Sequence, residues 1–146
     1  MPKRFTLSEA QALIPQVEGL LQDAIEAKSE YEEAEGEIQA FQQHVMMMGG
    51  VAVDRERVGG AKSRRDDAAG RLRAAVESVQ EIGAQIKDLD SGLIDFPTLY
   101  RGVEVCLCWK LGEDGIEFWH GVEEGFRGRK AIDQDFLDNH EGDPAQ

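Results

Sequence analysis

The feature that most constrains the fold is a heptad-like spacing of apolar residues in two long segments. In the first segment they recur in steps of three and four, at Val17, Leu20, Ala24, Ala27, Tyr31, Ala34, Ile38, Phe41, Val45 and Met48. In the second segment the same steps give Ala68, Leu72, Ala75, Val79, Ile82, Ile86 and Leu89. This spacing places apolar side chains on one face of a helix, where they pack against another helix. The sequence therefore predicts two long helices.

Local signals suggest where the first helix begins and how it is shaped. Thr6 and Glu9 form a capping-box pattern, in which each side chain can bond a free backbone N–H of the first turn. Pro15 falls inside the pattern and should kink the helix, or start a second helix after a short first turn. Gly49 and Gly50 should end it.

The second helix should end near residue 90, because Gly92 follows the last apolar position and suits a helix C-cap. A short link with glycines between two such helices predicts an antiparallel helical hairpin over about 7–90. The charges agree, since an acidic block would lie opposite several arginines. The acidic block is Glu30, Glu32, Glu33, Glu35 and Glu37, and the arginines are Arg64, Arg65, Arg71 and Arg73.

A helix pair of this length buries little apolar surface by itself. Its seam should therefore pack like a coiled coil against a second copy, as a four-helix bundle, or against the C-terminal segment. We expect a homodimer, because two-fold symmetric pairs are the commonest oligomers.

A β-hairpin is predicted in a β unit over about 100–132. Apolar residues alternate from Val103 to Leu111, a turn follows at residues 112–115, and residues 116–122 return. If Leu111 faces Ile116, then Lys110 meets Glu117, Trp109 meets Phe118 and Leu107 meets His120. If Gly115 forms a bulge, Cys108 faces His120 and Trp109 faces Trp119. The buried face and the Lys110–Glu117 pair favour the first register; the Asp114-Gly115 pair favours the second.

The last segment, residues 133–146, has five acidic residues and no basic one, with only Phe136 and Leu137 as large apolar residues. This composition is typical of a disordered acidic tail. The predicted fold is therefore α+β. It comprises a single domain over 1–132, with a long antiparallel helical hairpin followed by a small antiparallel β-hairpin unit, and a disordered acidic tail over 133–146.

Composition narrows the classes of partner. The chain carries 16 Lys and Arg against 29 Asp and Glu, a net charge of −13. We expect no binding to nucleic acid or to a membrane, since both need clustered cations. Two cysteines do not make a disulfide framework, and no apolar stretch follows the first charges. We therefore expect a reducing, cytoplasmic location.

One set of residues is a candidate ligand site. His120, Trp119, Arg127 and Arg129 combine a titratable ring, an aromatic surface and two guanidinium groups in an otherwise acidic chain. Guanidinium groups bind phosphate or carboxylate with two parallel hydrogen bonds. The alternative is that the aromatic residues and His120 are core residues, while the arginines pair with acidic helices.

Metal chemistry has a weaker basis. Cys106, Cys108 and His120 could supply three of the four ligands that zinc prefers, but no fourth is evident. The register with Leu111 opposite Ile116, which we favour, also turns His120 away from the cysteines. The Asp88–Gly92 run fails as a calcium loop because its glycine is one place early. The sequence thus predicts no metal ligand and no catalytic residue, and it identifies no cofactor.

Several runs resemble an uncharacterised bacterial family, domain-of-unknown-function family 2203. They are KDLDSGLIDFP at residues 87–97, CWKLGE at 108–113, FWH at 118–120, GFRGR at 125–129 and FTLSEA at 5–10. The resemblance covers most of residues 5–132 and is weakest over 42–65. It implies a single domain and brings no assigned activity.

Two functional hypotheses follow. The first is a non-enzymatic cytoplasmic interaction or assembly module that dimerises through its helical hairpin. The second is a small enzyme or binder that takes a phosphorylated or carboxylated molecule in a His/Trp/Arg pocket, with or without a metal. None of the common nucleotide-binding, zinc-protease or serine-hydrolase motifs is present.

Overall fold

The computed structural model describes residues 3–47 and 55–144. Two compact units can be distinguished. One comprises Met1–Leu21 and Val76–Gln146, and the other is Gln22–Ala75. We call them the sheet unit and the helical unit. Within the described residues, no helix has the length and apolar character needed to cross a membrane.

Helix α1 spans Leu7–Met47 and begins as predicted. The Thr6 hydroxyl accepts from the Glu9 N–H at 3.1 Å, and the Glu9 carboxylate accepts from the Thr6 N–H at 2.9 Å. No second helix begins at Pro15, which lies inside α1 and is exposed. Ile14 and Val17 are buried on either side of it, so packing holds the helix through the missing backbone bond.

Helix α2 spans Arg55–Ile82 and is shorter than predicted. It ends because Gly83 adopts a φ of +104°, and the Gly83 N–H bonds the Gln80 carbonyl at 3.0 Å. Ile86 lies in a strand opposite Ile94. The predicted helix to about residue 90, with Gly92 as its cap, is therefore wrong. Gly92 instead lies in the turn before the next strand, with a φ of +74°.

In the helical unit, arginines of α2 contact glutamates of α1. Arg65 contacts Glu35 at 3.1 Å, and two further pairs join Arg71 to Glu30 and Arg64 to Glu37. Among these ion pairs, higher residue numbers in α1 go with lower residue numbers in α2, as in an antiparallel pair. Among the described residues of this unit, the buried apolar ones are Ile38 and six alanines: Ala24, Ala27, Ala34, Ala61, Ala68 and Ala75. The predicted link at Gly49-Gly50 lies outside the described residues.

The described part of the sheet unit contains six strands, many more than the predicted hairpin. They are β1 (Gln85–Asp88), β2 (Leu93–Tyr100), β3 (Val103–Lys110), β4 (Phe118–Gly121), β5 (Lys130–Ala131) and β6 (His140–Glu141). The order is β1-β2-β3-β4-β5, with β6 paired to β2, and every pair is antiparallel. A 3-10 helix, Phe126–Gly128, lies between β4 and β5.

Strand β2 was not predicted, and it contains Pro97, a residue that is unfavourable in a central strand. Here the Pro97 carbonyl accepts from the Phe5 N–H at 2.7 Å, so the polar groups of this residue point away from β3. No bond to β3 is lost where Pro97 pairs with Cys106. Ile94, Phe96 and Leu107 are buried, and Phe5 packs edge-on against Phe96.

The register between β3 and β4 differs from both predicted alternatives. Cys106 pairs with His120, Leu107 with Trp119 and Cys108 with Phe118. The connection does not form a tight turn, because Ile116 is buried and its N–H bonds the Gln11 side chain at 2.8 Å. A contact with the first helix thus holds the connection between β3 and β4.

The predicted disordered tail is wrong over residues 133–141. Asp133 caps helix α3 (Gln134–Asn139) by accepting from the Phe136 N–H, and β6 pairs with β2. Phe136 is fully buried and stacks on Trp119 with ring centroids 5.1 Å apart. The buried Phe136 ring and the Asp133 cap therefore order a segment whose composition predicted disorder.

A pair of glycine substitutions should separate a required glycine from a tolerated one. A Cβ on Gly83 would lie 3.0 Å from the Lys3 Cβ and 3.1 Å from the Phe5 ring, at a positive φ. Gly83→Ala should therefore lower the free energy of unfolding by about 1–2 kcal/mol. Gly70→Ala, in α2 with nothing within 4 Å of its added Cβ, should raise it by about 0.5–1 kcal/mol. Denaturant titrations followed by helical circular dichroism check both signs; equal effects would contradict the assigned role of Gly83.

Candidate functional site

The sheet unit buries a cluster of chemically active side chains on one face of its sheet. Asp95, Cys106, Cys108 and His120 are 1%, 5%, 0% and 2% exposed, respectively. Side chains alternate between the faces of a strand, so the observed register decides which of them meet. Cys108 pairs with Asp95, and Cys106 pairs with His120. The four residues therefore share a face.

Hydrogen bonds fix the orientation of His120. Its Nδ1 lies 2.7 Å from the Gly121 carbonyl oxygen, which can only accept, so Nδ1 carries a proton. Its Nε2 lies 3.0 Å from Asp95 Oδ1. A proton must lie between these two atoms, either on Nε2 facing a carboxylate or on Asp95 facing a neutral ring. His120 and Asp95 therefore share one proton between Nε2 and Oδ1, in a site closed to solvent.

The cysteines are unreactive as they stand. Burial, followed by the charge of Asp95, raises the pKa of the Cys106 thiol and of the Cys108 thiol to about 12. Both remain protonated at neutral pH, and a thiol is a poor nucleophile compared with a thiolate. Nucleophilic catalysis by either cysteine is therefore disfavoured.

The cluster also has the donor atoms of a metal site. One ligand atom each from Asp95, Cys106 and His120 lies within 4.8 Å of the others. Oxygen, sulfur and imidazole nitrogen are the donors that zinc and similar divalent ions accept. The sequence analysis did not identify Asp95 as a candidate site residue. The available signal was a lone charge in the otherwise uncharged run at residues 93–100.

The four residues predicted to bind a ligand are not brought together. His120 is buried beside Asp95, whereas Trp119 lies on the opposite face, packed against Tyr100 and Phe136. Arg129 contacts Glu113 at 2.6 Å and lies over the Phe118 ring. Arg127 is exposed in the 3-10 helix. The anionic-ligand pocket stays a prediction.

The helical unit has a second candidate site, an apolar groove along its two helices. One part, of about 510 Å³, is lined by Ile38, Phe41, Val58 and Ala61, together with Glu37, Ala40, His44 and Arg57. A second part, of about 490 Å³, shares Ile38, Phe41 and Val58 and adds Gln42, Val45, Met46 and Lys62. We refer to both parts together as the apolar groove.

A family model described as uncharacterized conserved protein (DUF2203) matches residues 3–132. The chain belongs to this family. The match spans nearly all the chain except the segment after Ile132, so it covers the buried cluster and the apolar groove alike. Neither the curated proteins nor the solved structures include a match to this chain. Membership in DUF2203 therefore identifies the family and leaves the activity to be argued from the sites.

Proposed function

We propose that this protein is a non-enzymatic assembly module that pairs with a second copy of itself through the helical unit. The apolar groove is the observation that carries the proposal. Phe41 and Val45 are half-buried within one chain, and Met46 and Met47 are 81% and 86% exposed. Contiguous apolar surface of this kind marks association sites more often than isolated apolar residues do.

Charge favours a second copy as the occupant. Residues 22–47 of α1 carry seven acidic residues and one basic residue, whereas residues 55–75 of α2 carry seven basic residues and three acidic ones. In a two-fold pair, the acidic helix of one copy can face the basic helix of the other, and the same contact then occurs twice. A surface with both signs in separate stripes is therefore complementary to itself.

The finer features of the proposal concern the helices and the cellular location. In this proposal α1 and α2 are the arms of one antiparallel hairpin, and the dimer packs them as a coiled-coil-like bundle. The buried alanines support this, since small residues let helices approach closely while the larger groove residues remain for the partner. Two free thiols, Cys106 and Cys108, fit a reducing compartment such as the cytoplasm.

The substitution Phe41→Glu tests the proposal. A charge in the centre of the groove would be buried without a partner in the dimer, so the dimer should dissociate. We expect wild-type protein to be a dimer at micromolar concentration, and the Phe41→Glu variant to need at least about tenfold more protein to dimerise, a loss of about 1.4 kcal/mol. Analytical ultracentrifugation over a concentration series measures both.

Gln43→Glu is the matched control, because it adds the same charge to an exposed position of the same helix. It should leave dimerisation unchanged. Helical circular dichroism should be alike for all three proteins, which separates loss of association from loss of folding. A monomeric wild-type protein at high micromolar concentration would overturn the proposal, and so would equal weakening by the two variants.

A further inference from the structure

The buried cluster is formed by side chains that extend over a strand. Adjacent strands lie about 4.8 Å apart, so β2 and β4 are separated by about 10 Å with β3 between them. Yet Asp95 Oδ1 and His120 Nε2 are 3.0 Å apart. Both side chains therefore reach across β3 and meet over the face that carries Cys106 and Cys108. Three donor atoms, from Asp95, Cys106 and His120, thus lie within 4.8 Å of one another, and Cys108 lies on the same face.

One buried oxygen atom of this cluster is not satisfied by a hydrogen bond. Asp95 Oδ2 is buried and makes no hydrogen bond of normal geometry, although Oδ1 has His120 and the Cys106 and Cys108 thiols interact with the same carboxylate. Buried polar atoms are almost always paired, and an unpaired carboxylate oxygen in a dry site is unfavourable. A cation bound at this oxygen would satisfy it.

We infer that Asp95, Cys106 and His120 bind one divalent transition-metal ion of the zinc type, with Cys108 as the further donor on the same face. The spacing suits such an ion. Two ligands at the usual zinc bond lengths of about 2.0–2.1 Å lie about 3.3 Å apart in a tetrahedral site. The observed 3.0 Å between Asp95 Oδ1 and His120 Nε2 is close to this. A small separation of the two side chains would therefore admit the metal.

The surroundings of His120 also fit a metal ligand. Metal-binding histidines usually donate their second ring N–H to a carbonyl or carboxylate, which leaves the other nitrogen free for the ion. His120 does so, with Nδ1 bonded to the Gly121 carbonyl and Nε2 directed into the cluster. The register that sets this geometry also puts Cys106 opposite His120.

A metal needs its thiol ligands deprotonated. Burial and the charge of Asp95 raise the pKa of both thiols, and Lys87 at Cys106 and Arg129 at Cys108 have smaller, opposite effects. Binding replaces each coordinating thiol's proton with a metal–sulfur bond and displaces the proton held between Asp95 and His120. All of these protons pass to the solvent.

Cobalt(II) is the probe that reports on this site alone. The full chain is unfolded in denaturant with a chelator present, freed of metal, and refolded with increasing Co²⁺. Refolding in the presence of the ion avoids its slow entry into a buried cluster. Cys106 and Cys108 are the only cysteines of the chain, so a thiolate-to-cobalt absorption band can arise nowhere else. We expect the band to saturate at one equivalent and to disappear when Zn²⁺ displaces the cobalt. No band at several equivalents would overturn the inference.

Matched variants locate the ligands. Cys106→Ser and His120→Gln should each weaken metal binding by about 100-fold or more, since even residues that merely orient a ligand contribute about 10–100-fold. His44→Gln, at an exposed histidine, should leave the affinity unchanged. Unaltered affinity in Cys106→Ser would overturn the inference. If a ligand variant does not fold, the wild-type cobalt band still decides. The outcome is independent of dimerisation, which the Phe41→Glu variant tests separately.

Discussion

Replacing Phe136 with alanine should lower the free energy of unfolding of the sheet unit by about 3–5 kcal/mol. Phe136 is fully buried and contacts the rings of Trp119, Tyr100 and His140. Removing it leaves a cavity that these rings line, and it removes the only large buried side chain of α3. The strand pairing of His140 and Glu141 with β2 should weaken as well.

Tryptophan fluorescence is the appropriate measurement, because both tryptophans of the chain, Trp109 and Trp119, lie in the sheet unit. Leu137→Ala is the matched control, since Leu137 is adjacent and 42% exposed. It should cost only a small fraction of the Phe136→Ala effect. A chain cut after Ile132 should resemble Phe136→Ala; unchanged stability of either one would mean that the segment does not support the sheet.

The second large effect is expected at the buried Asp95–His120 pair. With metal removed by a chelator, His120→Leu should lower the free energy of unfolding by about 3–5 kcal/mol, because it removes the ring nitrogen that a buried carboxyl group bonds. Combining it with Asp95→Leu should recover most of that loss, since a buried polar pair replaced by apolar residues is often near neutral. Denaturant titration by tryptophan fluorescence again measures the sheet unit.

An exposed ion pair provides the comparison. Arg101 contacts Asp135 and is 57% exposed, so Arg101→Leu should have a much smaller effect than His120→Leu. If His120→Leu were equally mild, or if the double variant were no more stable than the single one, the pair would not be held as a buried unit. That result would also remove the structural basis of the metal site.

Local chemistry made the helices predictable. The capping bonds between Thr6 and Glu9 depend on residues three positions apart, and the apolar spacing needs only the repeat of one helix. The opposition of glutamates and arginines followed from where the glycines separate the two segments, and three such pairs are observed. The end of α2 was predicted too late because Ile86 fits the helical spacing. The positive φ of Gly83 ends the helix before Ile86 is reached.

The site was less predictable, because it depends on how strands align. A shift of one residue between β3 and β4 changes which cysteine faces His120. The connection between these strands also makes a distant contact, because Gln11 bonds Ile116 more than one hundred residues later in the chain. Asp95 joined the cluster only once β2 was recognised as a strand.

The sequence alone determined the long helices, their opposite charges, the free thiols and the family of this protein. These features depend on composition or on residues a few positions apart, where geometry is fixed by the helix itself. The tertiary structure decided the strand register, the burial of Asp95 with His120 and the ordering of the acidic segment by Phe136. Each of those features depends on contacts between residues far apart in the chain. These contacts form, and stabilise the fold, only when the sheet is formed.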